Sequence, residues 1–189
     1  MLKDYKSANQ SLEFGLSYNF QIKNHPTYHL IKSRILKQQN QNEEALRTLQ
    51  LAMQLPGVKK SCKNHVKYIK FIILKFLFFK AKSSSDITIQ DRVAVYLELA
   101  DNYLLNKQQH EATKIMQDAI NEFHGTSEET RVTIANVDLS LNRGDIDGAL
   151  SMLKRIDSNQ PYYTQAREKM AQIYLKNRKD KKLYISTFK

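Results

Sequence analysis

The chain is short of the residues that most enzyme chemistry needs. Its 189 residues hold one cysteine, Cys62, so no internal disulfide can form, which fits a reducing compartment. Glycine occurs five times, never in a phosphate-cradling spacing, which leaves out the Gly-rich nucleotide loops. The five histidines (25, 29, 65, 110 and 124) lack ligand spacing, so neither a metal site nor a cofactor is expected. No nucleophile sits in a recognisable strained turn. The paired acids Glu43-Glu44 and Glu128-Glu129 fall at helix starts, where the helix dipole accounts for them. No catalytic residue is assigned, and an enzyme is not expected. Long apolar runs are missing too. Residues 71–79 are apolar except for Lys75, well short of the roughly 20 residues that cross a bilayer. Met1 leads into a polar helix, not the apolar core of a cleavable signal.

What is present is periodicity. Tyr96, Leu99, Ala100 and Tyr103 line one helical face, and Ala112, Met116 and Ala119 line the next. This is the spacing of the tetratricopeptide pattern, in which a small residue on each of two helices lets the pair cross closely. Taking the small residue of the second helix as marker gives Ala8, Ala45, Ala112 and Ala149, with Leu183 where a fifth should stand. The steps are 37, 67, 37 and 34 residues, against a period of about 34. Ala45, Leu49 and Ala52 repeat the second-helix face, as do Ala149, Leu153 and Ile156, and Met170, Ala171 and Tyr174 repeat the first. Helices are expected over about 26–39, 43–55, 91–105, 109–123, 128–142, 146–157 and 161–177. Pro26 and Pro161 suit helix starts, Thr126 with Glu129 has capping-box spacing, and Asp91 and Asp145 suit N-caps. No alternating strand pattern competes. The fold expected is all-α, a tetratricopeptide-repeat solenoid of antiparallel helix pairs.

Such an array buries its core only against its neighbours. The organisation read is 1–57, a half repeat plus one repeat; 58–90, an atypical basic and aromatic insertion; and 91–189, two to two-and-a-half repeats. No polar capping repeat is visible at either end, so a fragment of something longer is expected. The net charge of +11 is uneven: 58–90 holds eight lysines and one acid. A phosphate-binding face needs cations recurring along one groove, and the repeats do not show that. Solvated helix faces explain the remainder.

Particular strings go beyond the generic repeat. Residues 28–60, 105–153 and 160–184, including YHLIKSRILKQQNQNEEALRTLQLAMQLPGVKK and LNRGDIDGALSML, resemble the tetratricopeptide-repeat protein 21 family. The departure lies at about 61–85. The resemblance implies a non-enzymatic scaffold of intraflagellar transport complex A, serving retrograde transport along the axoneme and delivery of proteins into the cilium. Its implied partners are other complex A subunits, and its implied place is the cilium and cytoplasm, associated with the cytoskeleton. Small-molecule substrates, nucleic acid and direct membrane contact are not expected.

The groove-facing positions of the first helices are Leu97, Asp101 and Leu104, then Ile134, Asp138 and Leu141. They are expected to take an apolar helix or extended segment carrying positive charge. A chaperone-type clamp gripping a terminal carboxylate is disfavoured, because the two aspartates would repel it. A generic peptide-binding adaptor and a basic RNA-binding helical repeat are the alternatives, the latter marked by steep salt dependence.

Overall fold

The structure is a computed structural model that describes residues 5–59 and 87–187. Among the described residues there are helices and turns and no strands. In chain order they are α1 (Tyr5–Tyr18), a 3-10 turn (Phe20–Asn24), α2 (Pro26–Gln38), α3 (Asn42–Met53), α4 (Ile89–Leu105), α5 (Gln109–Phe123), α6 (Glu129–Asn142), α7 (Ile146–Lys154), α8 (Tyr163–Lys176) and α9 (Lys181–Ser186). The expected insertion at 58–90 lies mostly outside the described residues. The chain divides into two compact units, Met1–Val95 and Tyr96–Lys189, and the division falls inside α4.

In the first unit α2 packs on α3, with α1 and the 3-10 turn against α2. The first turn of α4 joins them through Thr27 Oγ1, 3.4 Å from Asp91 Oδ1, and through Arg92 Nε, which donates to the Val58 carbonyl at 3.0 Å. In the second unit α5 packs on α6, α6 on α7, α7 on α8 and α8 on α9, with α6 also touching α8. Tyr96 and Phe123 meet edge to face at 5.4 Å, tying α4 to α5, and the Tyr96 hydroxyl donates to Glu122 at 2.7 Å.

The small-residue register is explicit. Ala45, Ala112 and Ala149 are fully buried in the second helices, and Ser33, Ala100 and Ala171 are buried in the first. Val137 occupies the same position in α6, also fully buried. Each first helix then ends in a left-handed residue. Asn40, Lys107 and Gly144 have φ of 59°, 59° and 78°, each seven residues after its crossing position. The next residue donates back to the helix in all three: Gln41 to Leu36 at 2.9 Å, Gln108 to Tyr103 at 2.8 Å, Asp145 to Ser140 at 2.9 Å. This is the Schellman closure. It recurs although only one of the three is glycine, and a left-handed non-glycine residue costs about 1–2 kcal/mol.

The fourth turn differs by one residue. Lys179 (φ 55°) follows Ala171 by eight positions, and Asp180 donates to Tyr174 at 3.0 Å. The extra residue rotates α9. Tyr184, not Leu183, therefore stands at the second-helix crossing, packed against the core, while Leu183 is 38 % exposed. A step count alone cannot register a lengthened turn.

Capping departs from expectation in three places. Asp91 lies inside α4, and the box is made with Thr88: Thr88 Oγ1 accepts from the Asp91 N–H at 3.1 Å and Asp91 Oδ2 accepts from the Thr88 N–H at 3.2 Å. Before α6, Thr126 Oγ1 accepts from the Glu128 N–H at 3.3 Å, and Glu129 reaches past it to the Gly125 N–H at 2.9 Å. Pro161 precedes α8 instead of opening it, since Tyr162 takes φ 65° before the first helical residue. Pro26 and Asp145 behave as read, the latter accepting from the Gly148 N–H at 2.9 Å.

Candidate functional site

The six groove positions fall on two register-matched faces, Leu97, Asp101 and Leu104 on α4 and Ile134, Asp138 and Leu141 on α6. Both aspartates are exposed and the four apolar residues are half-buried. On α6 much of this face is already used. Ile134 and Leu141 pack against the core cluster of Val137, Leu150, Leu153, Met170, Ile173 and Tyr174. Asp138 forms an ion pair with Lys169 of α8. Where α6 carries the motif, its charge is therefore answered from within the fold.

A different face of α6 is open. Thr133, Asn136 and Ser140 form the floor of two adjoining clefts of about 420 and 410 Å³, walled by Ile120 of α5 and Met152 of α7. Asn136 Nδ2 lies 3.3 Å from Met152 Sδ, and Arg143 at one end donates to the Thr113 hydroxyl. Arg155 lines both clefts. Glu129 stands on the rim, but it accepts from the Gly125 N–H and from His124 Nδ1 at 2.7 Å, and these bonds, the Gly125 one first, hold its carboxyl below the usual carboxylate range. Such a surface offers amide, hydroxyl and thioether contacts for binding. The sequence reading missed it, although Thr133, Asn136 and Ser140 at i, i+3 and i+7 make a polar stripe along one face of the helix.

Two buried polar groups also escaped the pattern. Glu128 is 2 % exposed; its carboxylate accepts from the Tyr162 hydroxyl at 3.1 Å and from Arg131 at 3.2 Å. Burial, and then the hydrogen bond to that carboxylate, push the Tyr162 phenol above its usual value. The left-handed Tyr162 is thus held by a charge-assisted bond, which pins the α7–α8 connection to the start of α6. In α4, Asn102 is fully buried at the position that Ile35, Leu139 and Ile173 occupy in the other first helices. Its Nδ2 donates to the Glu98 carbonyl at 2.8 Å, and its Oδ1 finds no partner among the described residues.

Among the described residues no three of His, Cys, Asp and Glu group as a metal site would need, and no helix is long and apolar enough to cross a membrane.

With that geometry in place, the comparisons are specific. The family model described as Tetratricopeptide repeat protein 21 ARM repeat matches residues 20–189. Tetratricopeptide repeat protein 21B of Homo sapiens is 48% identical over 185 residues, which is 97% of this chain and 13% of that protein. Tetratricopeptide repeat protein 21A of Homo sapiens is 46% identical over 178 residues, 94% of this chain and 12% of that protein. The Tetratricopeptide repeat protein 21 homolog of Caenorhabditis elegans is 35% identical over 182 residues, 96% of this chain and 12% of that protein. The chain therefore spans about an eighth of the length of these relatives. A run of crossed helix pairs with a repeating turn and a family match over most of its length leave one conclusion: the chain belongs to the tetratricopeptide-repeat protein 21 family.

Proposed function

We propose that the chain is a non-enzymatic scaffold segment of an intraflagellar transport complex A subunit, supporting retrograde ciliary transport and protein delivery to the cilium through protein–protein contacts. Its partners are then other complex A subunits, and its place is the cilium and the cytoplasm. The observation that carries the reading is the family match across residues 20–189, because the family's long repeat array is what the resemblance ties to that complex. The chemistry of the described surface agrees. It offers helix faces, hydrogen-bonding clefts and exposed charge, which suit binding of a helix or extended segment.

The contact surface proposed is Leu97, Asp101 and Leu104 with Ile134, Asp138 and Leu141, receiving an apolar segment whose positive charge meets Asp101 and takes the place of Lys169 at Asp138. The test is recovery of complex A subunits from ciliated cells by the tagged whole chain and by its Asp101→Arg plus Asp138→Arg variant. Reversing both charges is expected to cut recovery at least about fivefold. Equal recovery by both chains removes these residues from the surface. Failure of the unaltered chain to recover any complex A subunit overturns the scaffold reading.

A further inference from the structure

The body of the second unit and its far edge carry opposite charge. Residues 96–175 hold eight lysines and arginines against twelve acids, whereas 176–182 hold five cations and one acid. Those five, Lys176, Arg178, Lys179, Lys181 and Lys182, lie on the end of α8, the turn and the start of α9, and all are exposed. The one acid among them does not neutralise the edge. Asp180 Oδ1 accepts from the Lys182 and Leu183 N–H groups at 2.9 and 3.0 Å, so its carboxylate is occupied by the α9 N-terminus.

The edge also has a concave part. Arg178 pairs with Asp147, which fixes the α8–α9 turn beside the first turn of α7. Between them lies a cleft of about 320 Å³ with Leu150 and Ser151 on its floor and Lys154 and Arg155 on its wall. Neither of these last two cations meets an acid among the described residues. Leu175, Leu183 and Ile185 stand 43 %, 38 % and 57 % exposed around the same turn. Cations with apolar residues between them match a ligand that carries carboxylates and aliphatic side chains together.

We propose that this edge docks an acidic protein segment, rich in glutamate or aspartate, with leucine-like side chains set between the charges. Arginine forks and lysines pair with carboxylates, the exposed leucines and isoleucine take the aliphatic anchors, and the acidic body of the unit repels a misplaced partner. Nucleic acid fits less well, since none of the cleft-lining residues is aromatic and bases find no stacking platform. The inference stands apart from the ciliary assignment, because it uses the charge and shape of this unit alone.

Fluorescence anisotropy on the whole chain tests it. The probe is a labelled peptide of about 16 residues, glutamates interrupted by leucines, set against an oligouridine of matched charge and vesicles containing phosphatidylserine. The peptide is expected to bind more tightly than either. Lys154→Glu plus Arg155→Glu, and separately Lys179→Glu plus Lys181→Glu plus Lys182→Glu, should each weaken it about tenfold with the circular dichroism spectrum unchanged. No peptide binding, or peptide binding indifferent to both variants, overturns the proposal. Oligouridine or vesicles binding as tightly as the peptide also overturns it, by showing an edge that reads charge alone.

Discussion

Replacing Ala100 with leucine is expected to lower the chain's thermal midpoint by roughly 2–12 °C, while replacing its neighbour Asp101 with leucine leaves it nearly unchanged. Ala100 is 3 % exposed, opposite a second helix whose Ala112 is fully buried. The close crossing marked by these two alanines leaves no room for three more carbons, and overpacking of this kind costs about 1–3 kcal/mol. One kilocalorie shifts the midpoint of a domain this size by about 2–4 °C. Asp101 is exposed one position further round the helix, and surface changes stay within about 0.5 kcal/mol. Circular dichroism melts of the three chains supply the comparison. Equal midpoints for wild type and Ala100→Leu would remove the crossing from the account.

The other large effect concerns residues 61–85. Deleting them is expected to leave helix content in place, raise soluble yield and raise the melting temperature. The reason lies in the residues on either side. The Val58 carbonyl accepts from Arg92 at 3.0 Å, and Thr27 at the start of α2 meets Asp91 at the start of α4. A Cβ added at Gly57 would stand 3.4 Å from Ile87 Cδ1. Residues 87–92 thus stand beside Thr27, Gly57 and Val58. The insertion expected within the 67-residue step from Ala45 to Ala112 is what the deletion tests. With the flanking residues already in contact, removing the stretch shortens the chain that must be closed between them and lowers the entropy cost of that closure. It also removes a stretch holding four of the eight phenylalanines. Loss of helicity or of soluble chain on deletion would instead assign the segment to the fold.

The periodic part of the structure was legible because helix crossing leaves a local mark. The expected helices at 109–123 and 26–39 meet α5 (Gln109–Phe123) and α2 (Pro26–Gln38) almost residue for residue, since an apolar stripe with a small residue in it has few other uses. What sequence could not carry was anything set by a partner far along the chain. Glu128 read as one of two acids favouring a helix dipole, yet it is buried under Tyr162, which arrives from 34 residues away. Asn102 carries no mark in the sequence, and it is fully buried where the other first helices place isoleucine or leucine. The lengthened turn at Lys179 shifted the crossing from Leu183 to Tyr184 without altering the approximate period. The clefts above α6 form from three helices at once, so their polar floor had no meaning until α5 and α7 stood on either side.

The register of the pairs is the central claim, and engineered disulfides test it most directly. In a Cys62→Ser background, cysteine pairs at Ser33 and Ala45, at Ala100 and Ala112, and at Val137 and Ala149 are each placed at a crossing. Bridging needs Cα atoms within about 7 Å. All three pairs are expected to oxidise fully and quickly under mild conditions. Pairs moved one residue along the second helix, Ala100 with Glu111 or Val137 with Gly148, are expected to stay largely reduced. Faster bridging of the shifted pairs than of the crossing pairs would contradict the register and the repeat built on it.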